Sequence, residues 1–217
     1  MSIVDDLIAA GRALVDAGLS PGTSGNLSVH DGNRVIMTGT GAALGRLTPD
    51  MLSFVTLDGG SIEGARPSKE LPLHLALYAR DRANRAVVHV HPPETVAVSC
   101  LEPWSAQSAI PPLTPYFVMK VGQTPLLPYR HPGDPALGDD IRDVALPIRA
   151  ALLSNHGSVV TGTDIAEAVN RAIELEAACR IALATNGKAR RELTEAQAVE
   201  LAAEWGSPWT PQTQTGQ

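Results

Sequence analysis

The hydrophobic pattern begins with a helix and continues with short strands. Apolar residues recur at helical spacing from Val4 to Val15, and Gly18 then ends the pattern, which predicts an amphipathic N-terminal helix. Two pairs of extended segments follow, and each pair flanks a turn that contains glycine. We therefore predict two β-hairpins, formed by NLSVH with RVIMT and by SFVTL with SIEG.

The remaining pattern alternates helices with strands. Leu71, Leu75 and Tyr78 have helical spacing, and the AVVHVH segment after them has the nearly continuous apolar character of a central strand. Proline recurs from 102 to 138, which predicts mostly loop with short strands such as TPLLPY. The other predicted elements are a short helix after Thr48, helices over 95–101, 137–145 and 164–184, two strands around ALLSNHGSVVTG, and a last helix from Thr194.

These elements predict a single α/β domain. The chain has 217 residues, of which 44% are hydrophobic, so it is long enough to bury one core. The hairpins favour a mixed or antiparallel sheet over a doubly wound parallel one. We assign the domain to residues 1–205. Residues 206–217 lack a periodic pattern and are expected to be disordered unless they pack on a neighbouring subunit.

Charge and composition narrow the possible partners. The net charge of −6 gives no general attraction to nucleic acid or to anionic lipid, so an anionic substrate would need positive charge concentrated at its site. The N-terminal segment does not resemble a signal peptide, and no apolar run reaches membrane-spanning length. Cys100 and Cys179 lie in apolar stretches and are interpreted as buried, reduced thiols. We expect a soluble, cytoplasmic protein.

Three histidines form the main candidate for chemistry. His89 and His91 are one residue apart on a predicted strand, so their side chains would project from the same face and could bind one ion. An H-x-H pair is about equally consistent with two ordinary polar residues at a strand end. His156 lies at the comparable end of another strand, before a glycine, and three histidines with an open position are the usual ligands of catalytic zinc.

A glutamate and two glycine-containing loops are weaker candidates. Glu70 begins the helix before the H-x-H strand, where a carboxylate is electrostatically favoured, although a routine first-turn acid would have the same position. His74, four residues on, is assigned a supporting or surface role. The GTSGNLS and TGTG loops could direct backbone N–H groups at one phosphate, but most loops of this composition only form turns.

Taken in order, the segments GTSGNLS, TGTG, SKE, HVH and NHG resemble the class II aldolase and adducin family. The resemblance implies a central, largely antiparallel sheet flanked by helical layers, assembled as a homotetramer with active sites between subunits. It implies that His89, His91 and His156 bind zinc, and that Glu70 moves protons and can be a fourth ligand. It also implies that the substrate phosphate is held by Gly25, Asn26, Thr40, Gly41, Ser68 and Lys69.

One family branch is favoured by the residues around the site. Lys69 stands where the aldolases commonly have a serine, and PPLTPYFVMKVG and LPYRHPGDPALG are similar to the branch that decarboxylates 3-oxo-tetronate 4-phosphate. This resemblance implies a carbon–carbon lyase that forms dihydroxyacetone phosphate and carbon dioxide through a zinc-stabilised enediolate, with Glu70 supplying the proton to C2. Tyr116 is a candidate proton donor or substrate contact from a neighbouring subunit, or an ordinary loop aromatic.

Two other functions stay open at this point. One is a class II sugar-phosphate aldolase, for instance on fuculose 1-phosphate, which would release an aldehyde. The other is a scaffold without catalysis, as in adducin, which the complete set of three histidines and Glu70 disfavours. Three imidazoles also suit cobalt, nickel or manganese, so zinc is the expected ion but another divalent metal would fit.

Overall fold

An eight-stranded sheet forms the centre of the structure, a computed structural model that describes residues 2–211 except for the side chains of Ser61 and Ile62. The strands are β1 (Asn26–His30), β2 (Arg34–Thr38), β3 (Leu52–Thr56), β4 (Ser61–Gly64), β5 (Ala86–Val90), β6 (Leu126–Leu127), β7 (Ala150–Leu153) and β8 (Gly157–Gly162). Their order is β4-β3-β2-β1-β5-β8-β7-β6, and every neighbouring pair is antiparallel except β6 with β7. The predicted α/β class and the largely antiparallel sheet are confirmed.

Helices pack on both faces of this sheet. They are α1 (Ile3–Asp16), α2 (Leu71–Arg80), α3 (Pro93–Ser99), α4 (Ala136–Asp143), α5 (Ile165–Thr185) and α6 (Glu195–Trp205). Side-chain caps begin three of them, because the oxygens of Ser2, Asp164 and Thr194 each accept a backbone N–H of the first turn. The caps therefore fix where these helices start.

The side chains of β5 alternate between two hydrophobic cores. Ala86, Val88 and Val90 belong to the larger core, which also contains residues of α1, α3 and α5. Val87 belongs to the other core, with residues of α2 and α4. Because successive strand residues point to opposite faces, His89 projects on the same face as Val87 and α2. Because of this alternation, the His89 side chain points toward α2, the helix that follows Glu70.

Two local expectations differ from the structure. The proline-rich segment contains a π-helical turn, Phe117–Val121, where only loop and short strands were predicted. Cys179 is buried as expected, but Cys100 is exposed, because it is the C-cap residue of α3, where the helix ends. None of the helices within residues 2–211 is long and apolar enough to cross a membrane.

The described part of the predicted tail packs against its own chain. Gln123 donates to the Thr210 carbonyl and accepts the Thr210 N–H, both at 2.7 Å. The Trp209 ring lies edge-on to Phe117, with 6.2 Å between the ring centroids. These contacts order the segment up to Pro211, whereas residues 212–217 lie outside the described residues. The domain boundary after residue 205 stays a prediction.

Gly157 permits the close approach of β8 to the end of β5. A Cβ atom at this position would lie 2.6 Å from the Val90 carbonyl oxygen and 2.6 Å from Cδ2 of His91. We therefore expect Gly157→Ala to lower the free energy of unfolding by about 1–3 kcal/mol, because backbone and the His91 ring must both shift. Chemical denaturation measures this change, and an unfolding midpoint equal to that of the wild type would contradict the close approach.

Candidate metal centre and active site

Three elements bring the predicted histidines together. His89 is the fourth residue of β5, His91 follows the end of that strand, and His156 lies in the turn between β7 and β8. Since β5 and β8 are antiparallel neighbours, the end of β5 lies beside the start of β8. The turn before β8 therefore places His156 next to His89 and His91. The three histidines thus lie together at the end of β5, a strand in the middle of the sheet.

The three rings form a tight cluster. Their ligand atoms all lie within 4.8 Å of one another, and Nε2 of His89 is 2.9 Å from Nε2 of His91. The His91 and His156 rings stack with 4.8 Å between centroids, and the His89 ring stands edge-on to both. His89 is completely buried, while the other two are partly exposed. A cluster with this exposure is closed on the protein side and open on the solvent side.

The donor chemistry of the cluster fits a divalent metal ion. Nδ1 of His89 lies 2.8 Å from the Ser158 carbonyl, so it must carry the ring proton, and Nε2 keeps its lone pair for the cluster. Burial, together with the neighbouring His89 and His156, lowers the pKa of His91 to about 3. Burial and His89 also lower the pKa of His156. The partly exposed histidines are therefore neutral at pH 7, which is the form that binds a metal.

Glu70 is buried against this cluster, at the N-cap position of α2. Its Oε2 lies 3.1 Å from Nε2 of His89 and accepts a hydrogen bond from Nδ2 of Asn26 at 2.7 Å, and its Oε1 lies 3.4 Å from Nε2 of His156. Burial raises the pKa of Glu70, but the interactions with His89, Asn26 and His156 lower it more, so its pKa falls below the ordinary range. The carboxylate is therefore ionised at neutral pH.

A cavity of about 510 Å³ opens onto Glu70, His91 and His156. All six residues predicted to hold a phosphate line this cavity: Gly25, Asn26, Thr40, Gly41, Ser68 and Lys69. Lys69 is the sole Lys or Arg in that lining, within the described part of the chain. One wall of the cavity thus combines small residues, hydroxyl groups and a single cation next to the histidine cluster.

Two of these six side chains already donate a hydrogen bond within the protein. The Asn26 amide donates to Glu70 and its Oδ1 lies 2.6 Å from Nε2 of His74, so the amide is engaged on both sides. The Thr40 hydroxyl donates to the Pro67 carbonyl at 2.8 Å. The Ser68 oxygen accepts the Glu70 N–H, which leaves its own proton available to a ligand. Ser68 and Lys69 are therefore the side chains best suited to donate to a phosphate.

Tyr116 lies away from the cavity of its own chain. It precedes the π-helical turn, its side chain is exposed, and the Lys120 ammonium lies 5.3 Å from its ring centroid. The structure therefore does not bring Tyr116 together with Glu70. Its predicted role in a neighbouring subunit stays a prediction.

Several cavity residues were not predicted from the sequence. Tyr129, Pro132 and Gly133 form part of the wall, although the sequence showed only a proline-rich loop. Gly133 has φ +83°, and a Cβ atom there would lie 2.8 Å from Cβ of Lys69, so glycine leaves room for the lysine. Asn155, next to His156, also lines the cavity with φ 56°. The sequence around Asn155, S-N-H-G, indicated a turn but did not predict that this residue has a positive φ.

Comparison with known proteins assigns the family. The 3-oxo-tetronate 4-phosphate decarboxylase of Haemophilus influenzae is 39% identical over 196 residues, covering 90% of this chain and 93% of that protein. The L-fuculose phosphate aldolase of Methanococcus maripaludis is 33% identical over 165 residues, covering 76% and 87%. The structure of YgbL from Klebsiella pneumoniae superimposes with a TM-score of 0.87 at 38% identity, covering 92% and 97%. Residues 5–183 match the Class II Aldolase and Adducin N-terminal domain, and the chain therefore belongs to the class II aldolase and adducin family.

Proposed function

We propose that this protein is a carbon–carbon lyase that decarboxylates 3-oxo-tetronate 4-phosphate to dihydroxyacetone phosphate and carbon dioxide. The observation that supports lyase chemistry most directly is the position of Glu70, which is buried within 3.4 Å of two of the three clustered histidines and lines a cavity with Lys69. The choice of a decarboxylase rests on the likeness to the Haemophilus influenzae enzyme over 90% of the chain.

His89, His91 and His156 would hold the metal, which we propose to be zinc, with Glu70 as a possible fourth ligand. When bound, a divalent ion supplies a positive charge that draws electrons toward the substrate ketone and favours cleavage of the neighbouring bond to the carboxylate. The Ser158 carbonyl fixes the His89 ring, so this ligand is oriented before any ion arrives. We propose that Ser68 and Lys69, with Gly25, Asn26, Thr40 and Gly41, hold the substrate phosphate.

Glu70 would handle the proton of the reaction. The bond between C1 and C2 breaks, its electron pair stays on the C2–C3 unit, and the carboxylate leaves as carbon dioxide. One proton must then be added to C2 to form dihydroxyacetone phosphate. Since Glu70 is ionised at rest, it would be protonated from bulk solvent through the open cavity and then deliver this proton to C2, so that each turnover takes up one proton from solvent.

A sugar-phosphate aldolase is the second candidate. An L-fuculose 1-phosphate aldolase structure superimposes with a TM-score of 0.82 at 26% identity, covering 94% of this chain and 96% of that one. The same arrangement of Glu70 and three histidines would then assist cleavage between two carbons with an aldehyde as the second product. The two reactions differ in the leaving group, so product analysis separates them.

The assembly and location belong to the same proposal. We propose a homotetramer in the cytoplasm, with active sites at subunit interfaces. The exposed Tyr116 is then available to the site of a neighbouring subunit, where it would contact substrate or donate a proton.

Purified protein loaded with Zn²⁺ should release carbon dioxide from 3-oxo-tetronate 4-phosphate and form dihydroxyacetone phosphate in equal amounts. Coupled measurement of both products tests this. The His91→Ala variant is the control, because it should lose bound zinc and turnover together. An absence of metal-dependent carbon dioxide release by the wild type would reject the decarboxylase, and aldehyde release from fuculose 1-phosphate would favour the aldolase.

Lys69→Met should weaken the binding of inorganic phosphate by about tenfold or more, because it removes the cation that lines the described cavity. Isothermal titration calorimetry on the zinc-loaded protein measures the affinity. Lys188→Met, an exposed lysine beyond the end of α5, is the matched control and should bind phosphate as the wild type does. Equal affinities in the two variants would contradict a role for Lys69.

A further inference from the structure

A buried chain of hydrogen bonds runs from α2 through β1 to Glu70. The Tyr78 hydroxyl lies 2.6 Å from the Ser28 hydroxyl, which lies 2.7 Å from Nδ1 of His74. Nε2 of His74 lies 2.6 Å from Oδ1 of Asn26, whose Nδ2 donates to Oε2 of Glu70 at 2.7 Å. All five residues are buried, with at most 7% of their surface exposed. Water therefore does not compete for these bonds.

Chemistry permits one arrangement of protons along this chain. Asn26 uses its NH₂ group toward Glu70, so its Oδ1 is an acceptor and Nε2 of His74 must carry the ring proton. A neutral His74 then accepts at Nδ1, which requires the Ser28 hydroxyl to donate to it. Ser28 in turn accepts the proton of Tyr78. Every donor in the chain thus points toward Glu70.

The protonation states expected of the buried groups agree with this direction. Burial, with the nearby His89, lowers the pKa of His74 to about 3, so the ring is neutral at pH 7. Burial raises the pKa of the Tyr78 hydroxyl, so it keeps its proton. A neutral histidine between two hydroxyl or amide partners can adopt a single tautomer, and the partners select it.

The two oxygens of Glu70 differ as a result. Oε2 accepts a hydrogen bond from the Asn26 amide and lies 3.1 Å from Nε2 of His89, whereas Oε1 lies 3.4 Å from Nε2 of His156 and has no hydrogen-bond partner among the described residues. An unpaired buried carboxylate oxygen is costly, and beside His156 it is open to the ion that the histidines would hold. The hydrogen-bond chain thus holds Oε2 and leaves Oε1 facing the histidine cluster.

We propose that Tyr78, Ser28 and His74 are positioning residues that act through Asn26, which holds Oε2 of Glu70 and thereby orients the carboxylate for its proton transfer. This inference rests on the proposed function, because it names the residues that orient the acid and base of that same site. The three positioning residues do not line the cavity and act on the substrate only through Asn26 and Glu70.

The tautomer of His74 tests the direction of the chain without any turnover. ¹⁵N-histidine NMR of the wild-type protein at pH 7 should show one neutral imidazole protonated at Nε2 that is absent from the His74→Gln spectrum. A His74 protonated at Nδ1, or at both nitrogens, would overturn the proposed direction. Since this spectrum does not depend on the substrate, its failure is distinguishable from failure of the decarboxylase assignment.

The kinetics of Ser28→Ala test the positioning role. This variant cuts the chain and should lower kcat about tenfold, while KM and the zinc content stay close to wild-type values. Ser53→Ala is the matched control, because Ser53 is also a completely buried strand serine but its hydroxyl has no hydrogen-bond partner within the described part of the chain. Equal kcat values in the two variants would overturn the proposal, as would a change in KM alone.

Tyr78→Phe removes only the first hydroxyl of the chain and keeps the aromatic ring in the core. It should show the same selective loss in kcat, and the Ser28→Ala/Tyr78→Phe double variant should lose little more than Ser28→Ala alone. Additive losses in the double variant would show that the two hydroxyls act separately and would overturn the chain.

Discussion

The burial of one carboxylate beside three imidazoles is the interaction on which this site depends. An ionised carboxylate loses much of its hydration when it is buried, and it stays charged only where other groups replace water. For Glu70 those groups are the Asn26 amide, which donates to Oε2, and the start of α2, with its partial positive charge. Removing either of them would raise the pKa of Glu70. The rest of the site can be understood as the means of keeping this carboxylate charged and oriented.

The antiparallel sheet brings Asn26 and the three histidines close together. Asn26 on β1 and His89 on β5 are cross-strand partners, so their side chains lie on the same face of the sheet. On the other side of β5, the pairing with β8 brings the turn that contains His156 to the end of the strand. Gly157 then allows backbone contact with Val90. Three neighbouring strands in this order therefore place an amide and three imidazoles around a single point.

Much of the fold could be predicted from the sequence because its signals are local. The turns between NLSVH and RVIMT, the apolar run around His89 and the caps at Asp164 and Thr194 each act within a few residues. The exposure of Cys100 could not be predicted, because an apolar stretch does not reveal which side of a short helix faces the sheet.

Part of the site depended on long-range contacts that leave no local pattern. The histidines and Glu70 were visible as residue types, but Asn26 meets Glu70 across 44 positions of sequence, and the sequence assigned Asn26 only to phosphate. His74 lies four residues after Glu70, so the sequence could indicate that the two residues share a helix face. This spacing could not predict the contact of His74 with Asn26. Tyr129 and Gly133 reach the cavity through a loop whose path proline content alone does not define.

The central claim is that Glu70 moves the proton beside a metal held by the three histidines. The most direct measurement is the rate of carbon dioxide and dihydroxyacetone phosphate formation by zinc-loaded Glu70→Gln, with zinc content determined on the same sample. The expected result is bound zinc with a rate at least about 100-fold below that of the wild type, because glutamine keeps the shape of the side chain but cannot transfer a proton. Bound zinc with a rate close to the wild-type value would contradict the claim.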